Sequence, residues 1–504
     1  MPIDVEPTEN PGIPLPPAPA APTRTQLDRA LVRGVAWTGG LKWATQLVSW
    51  GITLGLARIL SLGDYGVFGL ATLYVGFIQL VNEFGLGAAI IRRRDFTEPD
   101  IAAIGGVTLA LGSALWLLSA LCAPVYVSFF HAPNARWPIT VLSAVFILTA
   151  LKTLPKSLLS RDLQFKKVAT IDAVEATIGG VMTLLLALLG WRHWALVGGT
   201  LIGGCVGTAV ALTMRPHRIR WPASLREVAP AATFGSHIMV SRLSWYAYSN
   251  ADFAVVGRRL GQALLGAYSY GWTIASIPVD RISGMVGQVT PALFSTVQHD
   301  LPEVRRYLLK VTEALALITL PLSVGLATVA DQFTVVVLGD KWWPAIGPLA
   351  LLSVYASARA VTTIYPHVLQ ALGHSGKAMR YNLIGLAVLL PLFLIGSHWG
   401  VNGVALAWII GYPAIALPLL RAVLRATDMR LGTYFDALRP PLRASIAMAI
   451  AVLALRSVLP ATWPVPLQLA LAVTAGALTY VGVMLGVYGD HLRTLKALAR
   501  EVRR

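Results

Sequence analysis

The chain has 504 residues, 56% of them hydrophobic and 13% charged, with a mean hydropathy of +0.65. Soluble domains carry about 25% charged residues, so a soluble enzyme or binding module is excluded. The net charge of +17 lies in short patches between apolar runs, which reads as membrane topology rather than nucleic-acid binding. The only two cysteines, Cys122 and Cys205, have no ligand spacing, which argues against a disulfide framework or zinc site.

The N-terminal stretch is rich in Pro and Ala and contains Asp4, Glu6 and Glu9. It lacks the apolar core of a secretory signal and is expected to be a disordered tail over residues 1–28. Fourteen apolar spans follow, at approximately 34–57, 66–91, 101–123, 138–154, 168–190, 194–214, 230–256, 264–287, 310–338, 346–372, 380–397, 400–421, 441–459 and 465–487. The expected fold is therefore an all-α, polytopic membrane protein. The connections are short. The longest, 288–309 (QVTPALFSTVQHDLPEVRRYLL), is expected to be a short amphipathic helix on the inner membrane surface.

One motif occurs twice. Arg58 to Gly69, RILSLGDYGVFG, returns about 200 positions later as Arg258 to Ser269, RRLGQALLGAYS. Arg58 matches Arg258, Leu60 matches Leu260, Gly66 matches Gly266, and Phe68 is answered by Tyr268. Upstream, Lys42 has its counterpart in Arg242. This offset indicates one membrane hairpin used twice, as in transporters that bind substrate between related halves.

Lys and Arg alternate from loop to loop. Arg92 to Arg94, Lys152 to Lys167, Arg215 to Arg226, Arg305 to Lys310 and Arg421 to Arg443 fall on the side of both termini. Arg58, Arg136, Arg192, Arg258, Arg259, Lys341 and Arg456 fall on the other. A bias of roughly four to one places both termini in the cytoplasm. Trp137, Trp191, Trp194, Trp342, Trp343, Trp399 and Trp463 fall at outer ends, where ordinary interfacial anchoring accounts for them.

Six collinear stretches carry a family resemblance: ARILSLGDYGVFGLA, EFGLGAAIIRRRDFTEPDI, LPKSLLSRDLQFKKVA, NADFAVVGRRLGQALLGAYS, TPALFSTVQHD and VLGDKWWPAI. Together they resemble the Wzx-type polysaccharide flippases of the multidrug/oligosaccharidyl-lipid/polysaccharide exporter superfamily, including exporters for capsule, colanic acid or xanthan-like polysaccharide. The resemblance implies a fold of two pseudo-symmetric six-helix lobes around a central cavity with two further C-terminal helices. The lobes are then expected at residues 29–226 and 227–430, the extra helices at 431–490, and a basic cytoplasmic tail at 491–504. It also implies transfer of undecaprenyl-pyrophosphate-linked oligosaccharides across the bacterial inner membrane, alongside membrane lipids and with a polysaccharide polymerase and chain-length regulator as partners. No cofactor is expected.

Such a head group cannot cross hydrocarbon without losing its hydration, so a cationic cleft is required. Ionisable residues inside spans are costly and usually face a cavity or a partner. The substrate-binding candidates are Lys42, Arg242, Arg281 and Arg359. The repeat-related pair, Lys42 and Arg242, is expected to face across the cavity, whereas Arg281 has a simple ion pair with the adjacent Asp280 as its alternative. Glu83 and Asp252 are the ion-coupling candidates, with helix packing or a buried ion pair as the competing reading for Asp252. Asp172 and Glu175 share one helix face near Lys166 and Lys167 and are expected to form a solvated inner rim. His237 and His367 are expected to be interior histidines, and Asn82, Gln46 and Asn250 either sugar ligands or helix glue. Asp64, in LGDYG, reads as a turn residue.

The chain contains no GxxxxGK[ST] phosphate loop, so it is not itself expected to be an ATPase. A multidrug exporter of the same superfamily is the first alternative, and it predicts a cavity of carboxylates and aromatics. A membrane polymerase or glycosyltransferase is the second, and it calls for a large outer loop that the spacing does not provide.

Overall fold

The computed structural model describes residues 49–83, 90, 96–221, 243–373 and 376–501. Among these residues every regular element is helical, and ten stretches have the length and apolarity of membrane spans. In chain order the helices are α1 (49–59), α2 (Leu62–Glu83), α3 (Glu98–Phe129), α4 (Arg136–Leu142), α5 (Val145–Arg161), α6 (Phe165–Leu188) and α7 (His193–Met214). Then follow α8 (243–249), α9 (Ala251–Arg259), α10 (Gln262–Val297), α11 (Leu301–Thr328), α12 (Ala330–Phe333), α13 (Ile346–Thr362), α14 (Tyr365–Ala371), α15 (Gly376–Gly396), α16 (Gly400–Gly411), α17 (Pro413–Ala426), α18 (Leu431–Val458) and α19 (Val465–Glu501). Helices α3–α7 pack mainly on one another, and so do α9–α17, while α2 packs most extensively on α10. The last two, α18 and α19, pair with each other and lean on α11.

Local sequence explains several boundaries. Thr97 and Asp100 form a reciprocal capping box that starts α3, with Pro99 at a position where no intrahelical N–H is needed. Asp64 does the same for α2. Its Oδ2 accepts from Ser61 N and Oγ at 3.0 and 2.6 Å, and its Oδ1 accepts from His193 N at 3.1 Å. The turn residue thus also anchors the start of α7. Between α6 and α7, a Cβ on Gly203 would lie 2.7 Å from Gly179 Cα, so only glycine permits this close packing.

The two copies of the repeat meet. A Cβ on Gly66 would lie 1.9 Å from Gln262 O, and one on Gly266 would lie 2.0 Å from Leu62 O. Residue 62 touches 266 as residue 262 touches 66, which is the signature of a local two-fold axis between α2 and α10. Around this contact the lobes cap each other's helix ends. The last carbonyls of a helix have no intrahelical donor. Those of α1 are taken by the far lobe: Lys341 Nζ donates to Arg58 O at 2.7 Å and Leu60 O at 2.8 Å, and Trp342 Nε1 donates to Ala57 O at 2.8 Å. In return, Arg58 donates to Val336 O and, at 3.0 Å, to Val337 O, in the π-helical turn Thr334–Leu338. Asn134 and Gln262 exchange side-chain bonds at 2.7 and 3.1 Å, and Arg258 contacts His131. This is the clasped end of the molecule. The contacts continue along α2 to Phe77, whose ring meets that of Tyr246.

Several expectations change. Segment 288–309 is not a separate surface helix: α10 runs 36 residues, about 54 Å, and α11 begins at Leu301 under an Asp300 cap with Pro302 in its first turn. Expected span 346–372 is broken between α13 and α14, and α18 starts ten residues before expected span 441–459. Helix α19 continues past Tyr488, where its backbone kinks, through the stretch expected as a tail. Fourteen spans are not all counted, because expected spans 34–57, 66–91 and 230–256 fall partly outside the described residues, and the expected N-terminal tail falls wholly outside them. Asp172 and Glu175, expected at a solvated inner rim, are partly exposed and reach across to the neighbouring helix. They bond Lys156 and Lys152 on α5, each at 2.5 Å. Trp137, Trp191, Trp343, Trp399 and Trp463 are exposed as anchors should be, but Trp342 is fully buried as a helix cap.

Filling the lobe contact should destabilise it. Gly66→Val and Gly266→Val should each cost about 1–3 kcal/mol through overpacking, read as a lower melting temperature of the purified protein. Gly55→Ala, where nothing lies within 4 Å, should not lower it. Equal melting of all three variants would contradict the contact.

Candidate functional site

Below the clasp two hollows adjoin and share Trp272. The first, of about 430 Å³, lies between the lobes against Thr53, Tyr65, Phe68, Tyr246, Asn250 and Tyr270. The second, of about 550 Å³, lies in the second lobe and reaches toward the end that carries the Lys and Arg patches. Its walls are aromatic. Trp245, Tyr248, Trp272, Tyr355, Trp408 and Tyr412 line it, with Tyr355 stacked on Trp408 at 4.6 Å between centroids.

One cation stands in this aromatic hollow. Arg359 projects from α13 some thirteen residues below its clasped end, a depth of about 20 Å. Its guanidinium donates to Asp280 Oδ1 on α10 and lies 5.3 Å from the centre of the Trp272 ring. The ring's negative face and the carboxylate hold the cation from two sides. Neither partner is sealed off, since the Asp280 side chain is 58% exposed and that of Arg359 26%. His367, from α14, lines the same hollow. A planar cation at this depth can offer a forked contact to a phosphoryl oxygen. The aromatic faces can pack the apolar C–H face of a sugar.

Of the expected binding residues that are described, the hollow takes Arg359. Lys42 and Arg242 lie outside the described residues, and so do Gln46 and His237. Arg281 is brought elsewhere. It lines a separate apolar groove of about 430 Å³ with Trp50, Ile277, Leu322 and Phe333. Adjacent residues on a helix point about 100° apart, so Asp280 reaches Arg359 while Arg281 faces the groove. The ion pair expected between Asp280 and Arg281 is replaced by one across two helices. Asn82 is glue, donating to Phe146 O at 3.0 Å, whereas Asn250 lines the inter-lobe hollow.

Of the ion-coupling candidates, Glu83 is the last residue of α2, and its side chain lies outside what the structure describes. Asp252 is fully buried behind the aromatic wall. Its Oδ2 accepts from Tyr268 O–H at 2.7 Å and Trp408 Nε1–H at 2.8 Å, and no ion pair to it occurs among the described residues. The expected buried ion pair is thus absent there, and Asp252 fixes the tilt of Trp408, a wall of the hollow. Sequence reasoning missed the aromatic cluster. Its members come from α8, α10, α13, α16 and Tyr412, and the spacing within any one of them is unremarkable.

Comparison with known proteins adds context to this geometry. The model of a family described as "Polysaccharide biosynthesis protein" matches residues 55–347. The teichuronic acid biosynthesis protein TuaB of Bacillus subtilis (strain 168) is 26% identical over 420 residues, which cover 82% of this chain and 86% of that protein. The succinoglycan biosynthesis transport protein ExoT of Rhizobium meliloti (strain 1021) is 26% identical over 491 residues, 95% of this chain and 97% of that one. The solved structure of the lipid II flippase MurJ, in its inward closed conformation, superposes with a TM-score of 0.75 at 13% identity, over 91% of this chain and all of that one. This last likeness is one of fold.

The two readings of Asp252 separate experimentally. Asp252→Ala strands the Trp408 and Tyr268 donors and should cost about 2–5 kcal/mol of stability. Asp252→Asn keeps an acceptor for both and should retain stability within about 1 kcal/mol, together with export. An Asn variant of normal abundance and stability that no longer exports would show that the carboxylate carries an ion.

Proposed function

The chain belongs to the family of polysaccharide biosynthesis proteins, and from that membership and the hollow beneath its clasp we propose that it is a flippase for lipid-linked oligosaccharides. The observation that carries the reading is Arg359, a cation at mid-depth in an aromatic hollow beside the seam of two related lobes. The substrate is a saccharide repeat unit on undecaprenyl pyrophosphate, in the inner membrane of a bacterium. The pyrophosphate takes Arg359, the sugars lie against Trp and Tyr faces, and the lipid tail stays in hydrocarbon. Lys42 and Arg242 supply further cations to the head group. The clasped end faces outward and the termini face the cytoplasm, so the described state receives its load from inside. Transfer follows from parting the clasp while the opposite end closes. A polymerase and a chain-length regulator act on the delivered unit.

The names of relatives support this direction. ExoT is described as a transport protein, MurJ as a lipid II flippase, and TuaB as a protein of teichuronic acid biosynthesis. One observation favours the multidrug alternative, which calls for aromatic walls. The same walls serve sugars equally well, however, and a cationic drug would meet Arg359 at the centre of the hollow. Among the described residues the one carboxylate lining the hollow, Asp280, already holds that arginine.

Loss of the protein should cause a lipid-linked repeat unit to accumulate in the inner leaflet, measured by lipid extraction with leaflet-selective labelling. Restoring the wild-type chain should clear it. Arg359→Ala, at normal abundance, should lower export by about 10- to 100-fold, as expected for a lost charge-assisted contact. Unchanged lipid intermediates in the null strain would overturn the reading.

A further inference from the structure

Resting on that reading, we infer that Asp280 is an internal stand-in for the substrate's phosphate: it neutralises Arg359 in the empty carrier and yields it to the incoming head group. Arg359 has a single guanidinium, and one fork of it is already engaged by Asp280 Oδ1 while Trp272 covers its face. A phosphoryl oxygen reaching for the same fork must displace the carboxylate. Asp280 can leave, because its side chain is more than half exposed to the hollow. Among the described residues it is the only acidic residue lining this hollow. The other titratable groups facing the space are His367 on α14, Tyr248 on α8, Tyr381 on α15, Tyr355 on α13, and Tyr412. None is an anion in its ordinary state near neutral pH. Arg281, the other charge beside Asp280, faces the separate apolar groove.

The consequence concerns the return half of the cycle. A carrier that binds an anion with an arginine must bring that arginine back without its load. A bare guanidinium crossing the closed, poorly solvated state is expensive, whereas a hydrogen-bonded ion pair costs much less. The loaded leg would carry Arg359 paired with phosphate, and the empty leg would carry it paired with Asp280. In both legs the cation is matched. The carboxylate therefore weakens substrate binding by competing for Arg359, and in exchange it speeds the empty return. This also distinguishes Asp280 from a residue that merely positions Arg359, because loss of a positioning residue would weaken binding.

The test uses full-length protein and one probe, farnesyl-diphospho-glucose carrying a fluorophore on the sugar. Its two phosphoryl groups are both esterified and do not titrate near neutrality. Binding is measured in detergent, and movement between leaflets is measured in reconstituted vesicles, either as net transfer or as exchange against unlabelled probe. Asp280→Asn should bind the probe roughly 3- to 10-fold more tightly than wild type, the size expected of a lost, partly exposed ion-pair competitor. Its net transfer should fall several-fold while exchange, which needs no empty return, falls much less. Asp280→Glu, which keeps a carboxylate, should recover net transfer. If Asp280→Asn binds no more tightly than wild type, or if net transfer and exchange fall together, the stand-in role is overturned while the flippase reading survives. If the wild-type protein neither binds nor moves the probe, that reading falls and the inference falls with it.

Discussion

The structure depends on an exchange of helix caps between its two halves. Carbonyls at the end of α1 have no donor in their own helix, and Lys341 and Trp342 of the other half supply one. Carbonyls at the π-helical end of the α11–α12 run are satisfied in turn by Arg58. The bond from Trp342 to Ala57 O is buried, and a carbonyl left unsatisfied there would cost about 1–3 kcal/mol. Each half is therefore incomplete at this end without the other. Gly66 and Gly266 let the backbones of α2 and α10 come close enough for the exchange to occur. The same bonds can also be replaced by water when the halves part, so the clasp can hold firmly and still open.

With the halves joined at one end, the two adjoining hollows lie below that contact, and Arg359 and Asp280 line the second of them. Trp272 belongs to both hollows, and α10, which carries it, also carries the lobe contact and Asp280. One helix thus links the clasp to the residue that holds Arg359. A rigid-body movement at the Gly66–Gly266 contact would reach the Arg359 pair through a continuous helix of 36 residues. Asp252 supports this arrangement from behind by fixing Trp408 against Tyr355.

Much of this was legible in the sequence. The repeated Arg, Leu and Gly positions marked the lobe seam because the seam is a backbone contact, and backbone contacts demand particular small residues at fixed places. Arg359 stood out because a lone cation in an apolar run needs a reason. What failed has physical causes. Trp342 reads as an interfacial anchor beside Trp343, yet one is buried and the other exposed, and only the fold distinguishes them. Asp280 and Arg281 are neighbours in sequence but face different spaces, because helix geometry separates them. Segment 288–309 has the charge pattern of a surface helix, yet its residues prolong α10 and open α11. The aromatic hollow could not be read at all, since it is assembled from five places in the chain.

The account turns on whether the clasp must open for transport. Asn134 and Gln262 bond across it at 2.7 Å and can be replaced by a cysteine pair, with Cys122 and Cys205 changed to serine. Bridging that pair with a short bis-methanethiosulfonate reagent should stop movement of a lipid-linked saccharide in vesicles, and reduction should restore it. Undiminished transport by the fully cross-linked protein would contradict the account.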